Sequence, residues 1–279
     1  MRISGFDYQR IPVDGDVALN VAVGGDGPPI VLLHGFPQTH LMWRHVAADL
    51  ATDHTVICPD LRGYGGSDKP ADGYSKRRMA ADIVALAAEL GHDRFELAGH
   101  DRGALVAFRA GLDHPDRITR LTLLDIVPTL DMWDVLHGVQ AAVGFHLFLM
   151  AQPPGLPETL IGAAPDAFFG YFLDIWTKDP TAIPPEVRAE YLNAHVPSIV
   201  ADYRASATVD IADDEADRAA GRTLTMPVTV LQQDWGAQLG YDAAAVWRPW
   251  APNLTHQLVS CGHFMAEEAP KLVVEALRG

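Results

Sequence analysis

Short apolar runs alternate with longer stretches of helical period along the first 125 positions of the chain. Phe6–Val13 and Val17–Val23 read as two strands joined at Asp14-Gly15, a hairpin signal. Ile30-Val31-Leu32-Leu33 is apolar throughout, as a parallel strand covered on both faces must be. A helix is predicted over Leu41–Ala51 and a strand over Thr55–Pro59. Met79, Ile83, Val84, Ala87 and Leu90 then recur at helical spacing within Ser75–Leu90. Phe95–Ala98 reads as a strand, Gly103–Leu112 as a helix and Ile118–Leu124 as a strand. Such alternation predicts a mostly parallel sheet with helices on both faces, an α/β fold.

The alternation stops at Asp125. From Val127 to about Gly221 the chain reads as helices broken by prolines, among them Pro153, Pro165, Pro185 and Pro197, with no convincing strand. The sheet pattern resumes with strands at Val228–Leu231 and Leu254–Ser260 and helices over Asp242–Trp250 and Phe264–Leu277. The expected organisation is an α/β core built from residues 1–126 and 222–279, with a helical cap over 127–221. An insertion at the carboxyl end of a strand sits where such sheets bind ligands, so a lid is expected.

Composition narrows the function. Hydrophobic residues make up 48% of 279, enough for a sizeable core. Asp plus Glu number 36 against 21 Lys plus Arg, a net charge of −15. That balance disfavours nucleic-acid backbones and anionic membranes as partners and leaves small molecules open. No apolar run approaches a membrane span, and the first ten residues lack a signal-type segment. Two cysteines, Cys58 and Cys261, exclude a disulfide framework and point to a cytoplasmic setting. No metal motif is present, and Gly24-Gly25-Asp26-Gly27 lacks the context of a phosphate loop, so no cofactor is expected.

The chemistry concentrates at strand ends. Gly99-His100-Asp101-Arg102-Gly103 follows a strand and opens a helix, the context of a nucleophile elbow, with Asp101 in the nucleophile position. The bland reading is a strand-to-helix turn with Asp101 as an N-cap. A carboxylate is a poor nucleophile toward esters and amides. Held in line and desolvated, it can displace a leaving group from a saturated carbon. The resulting ester must then be hydrolysed by water, which calls for a base and an oxyanion hole.

His263, directly after the last strand in Ser260-Cys261-Gly262-His263-Phe264, is placed to be that base. His34-Gly35-Phe36-Pro37 follows the Ile30–Leu33 strand and can offer the Phe36 N–H to an oxyanion beside that of Arg102. The base needs a carboxylate to fix its tautomer. Asp125 and Asp234 both end strands. Asp125 is preferred, although periodicity does not separate them. Cys261 is read as packing, the Asp213-Asp214-Glu215 run as a solvated face, and Phe145, Leu147, Phe148 and Met150 as helix packing.

Taken together, His34-Gly35-Phe36-Pro37, Gly99-His100-Asp101-Arg102-Gly103, Leu124-Asp125-Ile126-Val127-Pro128, Gly262-His263-Phe264, Asp202-Tyr203-Arg204-Ala205 and Gln152-Pro153-Pro154 resemble the haloacetate dehalogenase branch of the α/β-hydrolases. The resemblance covers nearly the whole chain. It implies a cofactor-free hydrolase that cleaves a carbon–halogen bond through an aspartyl ester, works as a homodimer, and orients its histidine with Asp125 rather than Asp234. It further implies that Arg102 grips the substrate carboxylate, that His146 and Tyr203 hold the leaving halide, and that Trp176 lies near the substrate entrance.

Two positions depart from that branch. Its second carboxylate-binding arginine is Leu105 here, and the tryptophan after the lid histidine is Leu147. A lost charged hydrogen bond costs about 1.5–3 kcal/mol, so better leaving groups or larger apolar substrates than fluoroacetate are expected. Epoxide hydrolases resemble the same pattern, with Tyr203 and His146 as donors to the epoxide oxygen. Many of them carry tryptophan where this chain has Arg102. A catalytically silent binding protein is the remaining alternative, and it need not keep Asp101, His263 and a carboxylate together.

Overall fold

A computed structural model describes residues 1–234 and 241–279. Eight strands form one sheet: β1 (Asp7–Asp14), β2 (Val17–Gly24), β3 (Pro29–Leu33), β4 (Thr55–Pro59), β5 (Phe95–His100), β6 (Ile118–Leu124), β7 (Val228–Gln233) and β8 (Thr255–Val259). Their order is β1-β2-β4-β3-β5-β6-β7-β8. The β1–β2 hairpin is antiparallel and β2 runs antiparallel to β4; every pair from β4 onward is parallel. The central strands are apolar on both faces because helices cover both sides: Ile30–Leu33 and Ile57–Cys58 are fully buried.

The flanking helices are α1 (Arg44–Leu50), α2 (Lys76–Glu89) and α3 (Arg102–Asp113), and, after β7, α11 (Ala243–Trp247), α12 (Met265–Glu268) and α13 (Pro270–Arg278). Three predicted helices are shorter or divided. The Leu41–Ala51 helix opens as a 3-10 turn, His40–Trp43, before α1. The Asp242–Trp250 helix is regular only over α11. The expected Phe264–Leu277 helix breaks at Ala269, which adopts φ −135° and ψ 49°. Pro270 follows, and a residue before proline is driven out of the helical region.

Between β6 and β7 the described residues contain helices and turns and no strand: α4 (Thr129–Val135), a 3-10 turn Gly138–Ala142, α5 (Phe145–Met150), α6 (Leu156–Gly162), α7 (Pro165–Ile175), α8 (Pro185–Leu192), α9 (Val196–Ser206) and α10 (Val209–Ala219). Several of the prolines that break the pattern stand at helix starts. Pro165 and Pro185 open α7 and α8, where a missing N–H costs nothing. The acidic run is not a solvated face throughout. Asp214 is buried and paired with Arg109 at 2.6 Å, and Asp213 pairs with Arg77 at 2.6 Å. Arg109, on α3, is itself buried, so its charge draws Asp214 inward.

Register sets the site. Leu33 is level with Gly99, His100 with Leu124, and Leu124 with Leu231. The residues that follow β3, β5 and β6 therefore emerge together on one sheet edge. Among the described residues, no helix is long and apolar enough to cross a membrane.

Candidate active site

Asp101 sits in the turn between β5 and α3 with φ 50° and ψ −118°, a strained conformation for a residue with a Cβ. Such strain costs on the order of 1–3 kcal/mol and persists only where the surroundings enforce it. Three glycines do so. A Cβ on Gly99 would meet the Gly103 carbonyl oxygen at 2.4 Å, and one on Gly103 the His34 carbonyl oxygen at 2.3 Å. On Gly35 it would meet Asp101 Cβ at 2.5 Å. The elbow and the loop after β3 are thus pressed together with no room for side chains between them.

That contact aims the backbone of Phe36 at the carboxylate, and its N–H donates to Asp101 Oδ1 at 2.7 Å. The Arg102 N–H, at the start of α3, also donates to Asp101. His34 braces the loop. Its Nε2 accepts from the Leu61 N–H at 3.0 Å, so Nδ1 donates to the Gly35 carbonyl at 3.1 Å. Burial holds His34 neutral, with its pKa pushed down to about 4. Burial also raises the Asp101 carboxyl above the usual range, against the pull of His263, Arg102 and the two N–H groups.

His263 follows β8. Its Nδ1 lies 2.6 Å from Asp125 Oδ2, and its Nε2 lies 3.9 Å from Asp101 Oδ2. Asp125, 8% exposed, turns at the end of β6 with φ 52°, and its Oδ1 accepts the Gln233 N–H at 3.1 Å. Asp234 is elsewhere: its side chain is 48% exposed and pairs with Lys178 at 2.9 Å. Burial would lower the His263 pKa, but the Asp125 hydrogen bond and the charges of Asp125 and Asp101 outweigh it and raise the value above 6.5. His100 Nε2 donates to the His263 carbonyl at 2.8 Å, and the His263 N–H donates to the Trp176 carbonyl at 2.8 Å. The His263 backbone is therefore fixed from both the elbow and the residue after α7.

The helical segment closes the site with rings. His146 stacks on Phe36 at 5.7 Å between centroids and lies 5.1 Å from Trp176 and 5.5 Å from Tyr203. Trp176 in turn packs edge-on to His263 at 5.0 Å. Burial pushes the His146 pKa down to about 3 and holds Tyr203 well above 10, so both are neutral at pH 7 and able to donate. Asp101, Arg102, Asp125, His146, Trp176, Tyr203 and His263 all line one cavity of about 90 Å³. Phe36 contributes its N–H from beneath.

Leu105 and Leu147 line the same cavity, with Met132, Leu136 and Val143. Leu147 is therefore a cavity wall and not merely helix packing, whereas Met150 is core. Cys261 is buried, with its thiol pushed up to about 12 by burial, which suits packing. Three contributors carry no sequence signal of their own. Tyr241 and Ser206 line the cavity. Glu268 Oε2 accepts the N–H groups of Gly262, Lys178 and Asp179 and so ties the His263 loop to the turn after α7.

Comparison with known proteins agrees with this architecture. The alpha/beta hydrolase fold profile matches residues 28–150. A fluoroacetate dehalogenase of Burkholderia sp is 38% identical over 98% of this chain and 93% of its own length. The chain belongs to the α/β-hydrolase family. This α/β-hydrolase is also 36% identical to a soluble epoxide hydrolase of Corynebacterium sp. (strain C12), over 92% of this chain and 91% of that one. A solved structure from Nostoc sp PCC 7120 superposes with a TM-score of 0.93 at 41% identity, covering 99% of this chain and 98% of that one. The α/β-hydrolase described here is a hydrolase whose relatives include both dehalogenases and epoxide hydrolases.

Proposed function

We propose that this α/β-hydrolase works through a covalent ester on Asp101 and that its substrate is a small halogenated acid. The observation that carries the reading is the placement of His263 between Asp125, at 2.6 Å, and Asp101, at 3.9 Å, while the Phe36 N–H donates to the other carboxylate oxygen and the Arg102 backbone lies at the same carboxylate. Asp101 Oδ2 attacks the halogen-bearing carbon; the carbon–halogen bond breaks and the halide leaves with its electron pair. His263 Nε2 then takes a proton from water as the water oxygen adds to Cγ of Asp101. The negative charge that develops on Oδ1 is met by the Phe36 and Arg102 N–H groups. Collapse of the adduct breaks the ester, releases the hydroxy acid and returns the proton from His263. Asp125 fixes the imidazole and stabilises its charged form.

For the substrate, Arg102 lies in the cavity wall as the partner of a carboxylate, and Tyr203 and His146 face the cavity as donors to a departing halide. Residues 127–221 act as the cap. Likeness to the dehalogenase branch further leads us to propose a cytoplasmic homodimer, which sedimentation of the purified protein reads directly.

The second reading is an epoxide hydrolase. One observation favours it: Asp202 already occupies the Nε/Nη2 edge of Arg102, while the Tyr203 hydroxyl has no hydrogen-bond partner among the described residues and keeps its proton. The test is a paired assay of the purified protein on 2-chloro and 2-bromo acids and on simple terminal epoxides. Turnover of the acids, weakened by Arg102→Ala, supports the first reading. Turnover of epoxides alone, abolished by Tyr203→Phe and untouched by Arg102→Ala, replaces it with the second.

A further inference from the structure

The helical segment meets the elbow through a buried ionic network centred on Asp202. Its carboxylate accepts from Arg102 Nε at 3.0 Å and Nη2 at 2.8 Å, from the Tyr64 hydroxyl at 2.7 Å, and from Lys76 Nζ. Lys76 Nζ also lies 3.8 Å from Asp210 Oδ2, which takes the Ser206 hydroxyl at 3.1 Å. Ser206 Oγ in turn accepts from Arg102 Nη2 at 2.7 Å. Two cations and two carboxylates are present, and none is more than 3% exposed. Burial would raise the Asp202 carboxyl, but the charges of Arg102 and Lys76 hold it well below the usual carboxylate range.

Arg102 therefore does not stand in the cavity wall as a free cation. Nη1 alone of its nitrogens has no hydrogen bond among the described residues, and the guanidinium lies 4.1 Å over the Tyr203 ring. An arginine holds a carboxylate best through two parallel N–H groups. Asp202 has taken that edge. A substrate carboxylate arriving at Nη1 also meets the negative charge of Asp202 behind the guanidinium.

We propose that Asp202 is a specificity-determining positioning residue: it cancels the charge of the guanidinium beside Asp101, so that the site discriminates little between a carboxylate and an uncharged ligand of the same shape. This rests on the reading of Arg102 as a substrate-facing group. It does not depend on the covalent step.

The test is calorimetric titration of the purified protein with propanoate and with propanamide, which carry no leaving group. In the wild type the two affinities should agree within about threefold, since a charge already paired adds little. Asp202→Asn should shift the propanoate-to-propanamide ratio roughly tenfold toward propanoate, the gain of one charged hydrogen-bonded contact. Asp202→Glu, which keeps the charge, should restore the wild-type ratio. Should Asp202→Asn be recovered unfolded, Lys76→Met with Asp202→Asn removes one charge of each sign and is expected to shift the ratio the same way. A wild type that already prefers propanoate by more than about tenfold overturns the proposal. So does a ratio that the Asn variants leave unmoved. A shifted ratio in a protein that forms no ester on Asp101 would sink the proposed reaction and leave this inference standing; the reverse pattern would do the opposite.

Discussion

His263 Nε2 stands 3.9 Å from Asp101 Oδ2, is buried, and has no hydrogen-bond partner among the described residues. That separation is too long for a hydrogen bond, so the imidazole is not there to deprotonate the carboxylate. It suits a base that acts on a third group held between the two, as the second half of an ester mechanism requires. His263→Gln should thus form the Asp101 ester and fail to hydrolyse it. Intact-mass measurement after mixing with substrate should show the added mass on His263→Gln and none on Asp101→Ala. Normal turnover by His263→Gln would remove His263 from the mechanism.

The base must be neutral to accept a proton. Burial lowers its pKa, yet the Asp125 hydrogen bond and the nearby carboxylate charges raise it above 6.5 overall. Ester hydrolysis should therefore rise with pH through a midpoint held up by Asp125, the charge of Asp101 being absent from its own ester. Asp125→Asn removes the group that lifts the pKa, so the midpoint should move down, and turnover should fall by at least ~100-fold from loss of the tautomer. Asp234→Asn, which changes only an exposed pair with Lys178, should stay within about twofold of the wild type. Single-turnover rates across pH read both effects, and the reverse ranking would transfer the orienting role to Asp234.

Gly35 sets how closely the loop carrying Phe36 approaches Asp101. Gly35→Ala places a methyl group 2.5 Å from Asp101 Cβ and 2.7 Å from the His100 carbonyl oxygen. Backbone on one side cannot yield, so the cost should be about 1–3 kcal/mol of stability. Turnover should fall more steeply than that loss implies, because the Phe36 N–H is carried away from Oδ1. Thermal melts and kcat on the same preparation separate the two; a variant with full activity would mean that the Phe36 contact is not used.

The apolar wall at Leu105 is open to a direct change. Leu105 is buried on α3, three residues past Arg102, and lines the cavity. Leu105→Arg should lower KM for small halo acids by roughly tenfold with little change in kcat, since it adds binding already present in the ground state. Steady-state kinetics on chloroacetate check this, and an unchanged KM would show that the carboxylate does not lie on that side.

The parts of the site that a reader of the sequence can find are those made by a strand and the few residues after it. Asp101, Phe36 and His263 each come within a few residues of a strand end, and parallel register then brings the strand ends to one edge. Asp125 and Asp234 look alike at that level because both close strands. What separates them is three-dimensional: Asp125 turns back under His263, whereas Asp234 points to Lys178 on the surface. The Asp202 network is harder still: Asp202 lies in a recognisable segment, but nothing in that segment pairs it with Lys76, 126 residues away. The acidic neighbours of Asp214 suggest a solvated face, but the residue that claims it, Arg109, lies on a different helix. The division of the last helix at Ala269 was visible in Pro270, but the apolar period continued past it.

The central claim is that Asp101 is the nucleophile and that water attacks its own carboxyl carbon. One turnover in heavy-oxygen water, with protein in excess over a 2-chloro acid, followed by mass spectrometry of the peptide that contains Asp101, tests it most directly. The account predicts heavy oxygen in the Asp101 side chain after that single turnover, with unlabelled oxygen carried into the product. Label found only in the product, with the Asp101 peptide unchanged, would contradict it.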